Sequence, residues 1–450
     1  MPSTETLPPR FVEQKVRFGA LLASPAGLPP PRPIGKVRAL NGQALRARLP
    51  GVRVGELLDV RLGGKNVPAE VVGFDGGEAT LMVLGEPVGV SSGTLVRPSG
   101  RSFSVRCGDF LLGRVLDGLG RALDGRPLPR SGGVDAPINA GPPDPLCRRP
   151  VREVFETGVR AIDGVLTMGR GQRVGLFAGA GVGTSTLLGQ IARHAKADVN
   201  VICLTGERGR EVREFIEGSL GPEGLRRSVV VCATSDQPPM VRLKSAFVAT
   251  AVAEHFRDCG ADVLFLMDSV TRLARAQREI GLAAGEPPAR QGYPPSVFRM
   301  LPALLERAGN SDKGTMTAVY TVLVSGGDME EPVADEVRSI LDGHVVLSRE
   351  LANRGHYPAI DVLSSVSRVM GGVASTDHRN AASRLRSLLG RYESNRDLIS
   401  IGAYKKGADP ALDEAVAAYP AIEQWLRQDN DSPATFAETV ARLRAMAGGE

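Results

Sequence analysis

No run in this 450-residue sequence is apolar for the roughly 18–20 residues that a bilayer crossing requires. The opening residues, MPSTETLPPRFVEQK, lack the apolar segment of a secretory leader. Neither a membrane-spanning helix nor a secretory leader is signalled, and a cytoplasmic location is expected. Cysteine is scarce: Cys107, Cys147, Cys203, Cys232 and Cys259 form no CxxC pair and are odd in number. Neither a disulfide framework nor a zinc site is signalled, and Cys203 and Cys232, inside strand-like runs, are expected to be buried free thiols. Aromatic residues make up only 4%, and Phe74 is the lone one between Ile34 and Pro98. A net charge of +5 would suit nucleic acid, but single-strand binders need stacking aromatics beside the basic residues. Nucleic acid is therefore not an expected partner.

What is present divides the chain. Residues 1–33 are rich in Pro, Gly and Ala and end in LASPAGLPPPRP, a composition expected to form a mobile arm. Residues 34–98 carry short apolar alternations such as IGKVRAL, LLDVRL and AEVVGF, separated by glycine turns. Close-spaced short strands of this kind predict a small β-barrel. Residues 99–150 read as a connector that ends in the proline-rich APINAGPPDP. Over 151–375, strand-like and helix-like runs alternate: strands at Arg173–Phe177, Val199–Thr205, Val229–Cys232 and Val263–Asp268, helices at Thr186–Lys196 and Met240–Arg257. This rhythm predicts an α/β domain with a parallel sheet. Over 376–450 the strands disappear, and runs of Ala, Leu and Arg predict a helical domain.

The most specific local motif is Gly179-Ala180-Gly181-Val182-Gly183-Thr184-Ser185-Thr186, which follows the strand RVGLF and opens a helix. Strand, glycine-rich loop and helix in that order are the setting of a phosphate-binding loop. The glycines let successive backbone N–H groups converge on phosphate oxygens, and the helix N-terminus adds partial positive charge. Ser185 falls where a hydroxyl would coordinate Mg²⁺ beside bound ATP. Position 184 departs from the motif. A lysine there would reach the terminal phosphates, and threonine is short and uncharged. Lys196 lies twelve residues downstream, about 18 Å along a helix, and is no substitute. Further on, the apolar run VLFLM ends in Asp268, the arrangement in which an aspartate holds the Mg²⁺ shell. Between loop and aspartate, the run VICLT leads into GERGRE, which places Glu207 where a carboxylate can orient an attacking water.

In this order the motifs resemble those of the rotary ATPase superfamily, and within it the type III secretion and flagellar export ATPases. The resemblance runs from about Ile34 to the C-terminus. It is dense in TGVRAIDGVLTMGRGQRVGLFAGAGVG, LTGERGREVREFIE, LFLMDSVTRLARAQREIGLAAGEPPARQGYPPSVF and HYPAIDVLSSVSRVM. It implies a RecA-like P-loop core between an N-terminal β-barrel and a helical C-terminal domain, in a homohexameric ring with nucleotide at each subunit interface. By the same resemblance Glu207 positions the attacking water, Arg208 contacts the γ-phosphate and Asp268 is the Walker B residue. Arg368 matches an arginine finger delivered into a neighbour's site, and Tyr357 an aromatic that packs on adenine. The implied activity is ATP hydrolysis that energises chaperone release, unfolding and export of proteins. The implied partners are stator and central-stalk proteins, chaperone–substrate complexes and an inner-membrane export gate, placing the chain at the cytoplasmic face of that membrane. The run SDKGTMTAVYTVLV and the wording ADEVRSILDG favour the injectisome branch over the flagellar one. An inactive ring subunit is the alternative that Thr184 raises. Against it, Glu207 and Arg368 are both present, and long decay would have eroded several such positions.

Overall fold

The computed structural model describes residues 33–129 and 131–448. The sequence-predicted arm lies almost wholly outside them. Strands Gly35–Asn41, Ala44–Ala47, Glu56–Leu62, Lys65–Asp75, Glu78–Val83 and Leu95–Ser102 close into an antiparallel barrel. Alternation drives its closure. Leu58, Val60 and Leu62 are buried while the residues between them reach outward, so one face of each strand fills the barrel interior.

The central sheet has eight strands. Their order is Ile360–Ser367, Gly343–Leu347, Arg173–Ala178, Thr315–Leu323, Asp262–Asp268, Val199–Glu207, Ser228–Thr234 and Arg114–Asp117. All neighbouring pairs are parallel except the first, where Ile360–Ser367 runs back antiparallel to Gly343–Leu347. Strands covered on both faces read as continuous apolar runs, and all nine residues of Val199–Glu207 are buried. Side chains from alternate positions enter two different cores. Phe177, Val201 and Cys203 pack with the helices Pro239–Asp258, Val270–Ala283 and Pro295–Leu305. Leu176, Ile202 and Leu204 pack with Arg160–Val165, Thr184–His194 and the C-terminal helices Thr376–Ser394 and Pro410–Leu426. Cys203 and Cys232 are buried free thiols, as is Cys107; Cys147 and Cys259 are exposed.

Residues 99–150 do more than link domains. Arg114–Asp117 adds the edge strand of the central sheet by pairing with Val229–Cys232, and Ser104–Cys107 pairs with Val134–Pro137. Barrel and core are joined by a buried ion pair, Lys244 Nζ to Glu70 Oε2 at 2.5 Å. The C-terminal helices seat Trp425 against Gly164, where a side chain at 164 would meet the indole ring. No helix among the described residues is long and apolar enough to cross a membrane.

Candidate active site at the ends of the parallel strands

The glycine-rich loop leaves the strand Arg173–Ala178 and enters the helix Thr184–His194. Gly181 and Gly183 take φ values of 78° and 94°, left-handed conformations that cost a glycine little and a β-substituted residue much. Gly183 caps the helix in this conformation, leaving the first backbone N–H groups of the helix without intrahelical partners. Thr184 is half-buried, whereas Ser185 and Thr186 are exposed at the mouth. Lys196 is turned to another task, its Nζ 2.8 Å from Glu156.

Glu207 and Asp268 end strands that lie side by side in the sheet, with Leu204 opposite Asp268. Both carboxylates are buried, Glu207 at 8% exposure and Asp268 at 5%. Asp268 Oδ1 accepts a hydrogen bond from Thr321 Oγ1 at 2.7 Å. Burial pushes its carboxyl pKa upward, against the pull of that bond and of Arg272. Glu207 is pushed up to about 8, first by burial, then by the negative charge of Asp268 and by its hydrogen bond with Glu211; Arg272 opposes the shift. Arg272 holds Glu207 with Nε 3.0 Å from Oε1, and its Nη2 is 3.1 Å from Oε2. Its Nη1 donates to Gly206 O at 2.6 Å. Two buried carboxylates that repel one another fit a site completed by a cation.

Among the described residues no group of three or more His, Cys, Asp or Glu could hold a metal ion alone. One carboxylate, Asp268, and one hydroxyl, Ser185, make a donor set of the kind that suits Mg²⁺, which keeps several waters and shares its shell with substrate phosphates rather than entering an all-protein cage.

A linked pH effect follows. Glu207 carries a raised folded-state value, so its contribution to stability is full below the ordinary carboxylate value of 4.5 and is lost as pH rises towards about 8. Glu207→Gln has no such loss. The melting temperature of Glu207→Gln minus that of the parent is therefore expected to grow between those two values and to level off above them. A difference that stays flat across the window would show that Glu207 ionises normally.

Tyr357 stands over the mouth of the loop: a Cβ built on Gly183 would lie 3.7 Å from its Cε1. Together with Gly181, Thr186, Leu347 and Asn430 it lines a cleft of about 310 Å³. Tyr357 is 46% exposed, available to stack on a flat ligand. Arg208 lies at the surface, its Nη1 2.8 Å from Glu211 Oε1.

Arg368 is elsewhere. It follows the antiparallel strand whose Ser367 pairs with Gly343, and its own N–H donates to Asp342 O at 3.0 Å. Asp342 is bound by Arg173, at the start of the strand whose far end carries the loop. Five residues at about 3.3 Å each, roughly 16 Å, separate that edge from Ala178. No arginine side chain spans that gap within one subunit.

Sequence reasoning missed Arg272, Thr321 and Arg349, whose guanidinium touches the loop at Ala180 O. Arg272 had a signal, standing four residues beyond Asp268 in the first turn of the next helix, where its side chain returns to the strand ends. Thr321 and Arg349 had none, since each reaches the site only through sheet pairing.

A parallel sheet with a glycine-rich loop and two carboxylates at the same strand ends defines a RecA-like P-loop ATPase. Residues 158–367 match the ATP synthase alpha/beta family nucleotide-binding domain, and residues 374–445 match the T3SS EscN ATPase C-terminal domain. The chain belongs to the export ATPases of type III secretion systems and flagella. It is 52% identical to the flagellum-specific ATP synthase of Bacillus subtilis over 92% of its own length and 95% of the relative's. It is 51% identical to the type 3 secretion system ATPase of Xanthomonas euvesicatoria over 92% and 94%. It superposes on the assembled ATPase EscN from the enteropathogenic E. coli type III secretion system with a TM-score of 0.87. That match has 45% identity and covers 92% of this chain and 100% of the other. A second structure contains EscN in complex with its central stalk EscO; the TM-score is 0.85 over the same shares of the two chains, again at 45% identity.

Proposed function

We propose that this chain hydrolyses ATP to drive chaperone release, unfolding and export of proteins through a type III machine, with turnover held down by Thr184. The observation that carries the reading is the convergence of loop, Glu207 and Asp268 on one end of the parallel sheet around a position that lacks its cation. In this reading the loop N–H groups and Ser185 Oγ hold the phosphates, and Tyr357 packs on the base. Ser185 and Asp268 would hold Mg²⁺, which when bound neutralises charge on the phosphate oxygens. Glu207 accepts a hydrogen bond from the attacking water and orients it, while Arg272 fixes the direction of the Glu207 carboxylate. Arg208 leaves Glu211 to meet the γ-phosphate. Arg368 completes the site of the next subunit in a hexameric ring that takes a central stalk, stator proteins and the membrane export gate as partners. The wording of ADEVRSILDG and SDKGTMTAVYTVLV supports the injectisome branch; identities of 52% and 51% do not separate the branches.

Binding without the lysine is directly testable. Calorimetric titration with Mg²⁺ and a non-hydrolysable ATP analogue is expected to show weak, saturable binding. Complete absence of binding at millimolar analogue would mean that this loop cannot hold phosphate with threonine at 184.

A further inference from the structure

Although its lysine is missing, the loop does meet a cation. Arg349 Nη2 donates to Ala180 O at 3.1 Å, across 169 residues of sequence. Among the described residues the Arg349 guanidinium is paired with no carboxylate. Its placement comes from the sheet. The strands Arg173–Ala178 and Gly343–Leu347 are parallel neighbours with Ala178 opposite Leu347, so loop and arginine leave the sheet at the same level. Ser348 then turns the chain: its N–H donates to Ala359 O at 2.8 Å, and its Oγ caps the helix Arg349–Asn353 through Leu351 N. Glycine at 179 leaves room for the guanidinium, since a Cβ there would stand 3.2 Å from Nη2.

In a trans peptide the carbonyl and the following N–H point in opposite directions. With Ala180 O turned to Arg349, the Gly181 N–H is aimed away from that guanidinium, and Gly181 itself lines the cleft with Gly183 and Tyr357. Gly181, at φ 78°, offers little resistance of its own to rotation of that peptide. We propose that Arg349 is a positioning residue of the phosphate loop, fixing the 180–181 peptide so that the Gly181 N–H faces a nucleotide phosphate. The inference rests on the loop being a nucleotide site. It gives Arg349 a greater share of phosphate binding in this chain than where a lysine is present.

The test is titration of Mg²⁺·ADP and of AMP, which presents one phosphate fewer to the loop. The proteins are the parent, Arg349→Leu, Arg349→Gln and Arg349→Lys, each with Thr184 and with Thr184→Lys. With Thr184, Arg349→Leu is expected to weaken ADP about tenfold, about 1.4 kcal/mol, and to leave AMP nearly unchanged. Arg349→Lys should recover most of that loss, and the penalty should shrink in the Thr184→Lys proteins. Should Arg349→Leu fail to fold, Arg349→Gln, with a shorter neutral donor, carries the comparison. Unchanged ADP affinity in the leucine and glutamine variants overturns the proposal. So does an equal loss for ADP and AMP that lysine does not repair, because that marks a residue supporting the fold alone. Absence of ADP binding in both parent proteins would instead overturn the reading of the loop itself, before any change at 349.

Discussion

Thr184→Lys is expected to raise ATP turnover by roughly two orders of magnitude or more. The remaining parts of the site stand in place: the loop glycines adopt the required backbone, Glu207 is gripped by Arg272, and Asp268 is buried beside it. On the proposed reading, what Thr184 leaves out is positive charge at the point where negative charge accumulates in the transition state. Removing one preorganised donor from such a point costs about 3–4 kcal/mol in other enzymes, and each 1.36 kcal/mol is tenfold in rate. No residue of the same helix compensates, because Lys196 lies beyond its end and is paired with Glu156. Arg349 reaches the loop at a carbonyl oxygen, which places its guanidinium behind the Ala180 peptide rather than on a phosphate. Steady-state ATPase assays of the two proteins at equal concentration and assembly state decide the matter. Equal rates would show that threonine is no defect and that this site handles charge by another route.

The second large effect concerns the ring. In the Thr184→Lys background, Arg368→Ala and Glu207→Gln are each expected to be inactive alone, the former by about 10³-fold or more. Mixed one to one, they are expected to regain activity. In a randomly mixed ring, about a quarter of the interfaces would pair an intact Glu207 with an intact Arg368 from the neighbour. The motive is distance: Arg368 sits beside Asp342, at the edge of the sheet where Arg173–Ala178 begins, and the loop leaves the other edge. If the variants co-assemble and mixing restores nothing, Arg368 does not act across the interface.

Much of this site was legible without coordinates, for physical reasons that are local. A loop that must curl its N–H groups inward needs residues without a Cβ at Gly181 and Gly183, and those residues announce themselves. A carboxylate at the end of an apolar run, such as Asp268 after VLFLM, reads plainly because buried parallel strands are apolar throughout. Element boundaries were less exact. The sequence places the start of the loop helix at Thr186, and the structure starts it at Thr184, since a chain that caps with Gly183 needs no side-chain cap to mark the turn. Arg208 was legible as part of GERGRE, but its exposed position against Glu211 was not.

Charge placement across elements was the illegible part. Arg272 and Arg349 are two of many arginines in the chain, and only their return to the strand ends gives them partners. The edge strand Arg114–Asp117 lay hidden in a segment that reads as a connector, because four residues carry no period of their own until Val229–Cys232 gives them a register. By itself the sequence determined that a P-loop stands at this point in a RecA-like core, and that its lysine is threonine, because both are properties of consecutive residues. The tertiary structure alone decided that the strands of Glu207 and Asp268 are neighbours, which arginine holds Glu207, and that Arg368 stands too far from its own loop to serve it. Those are distances between segments far apart in the chain, set by strand order and register.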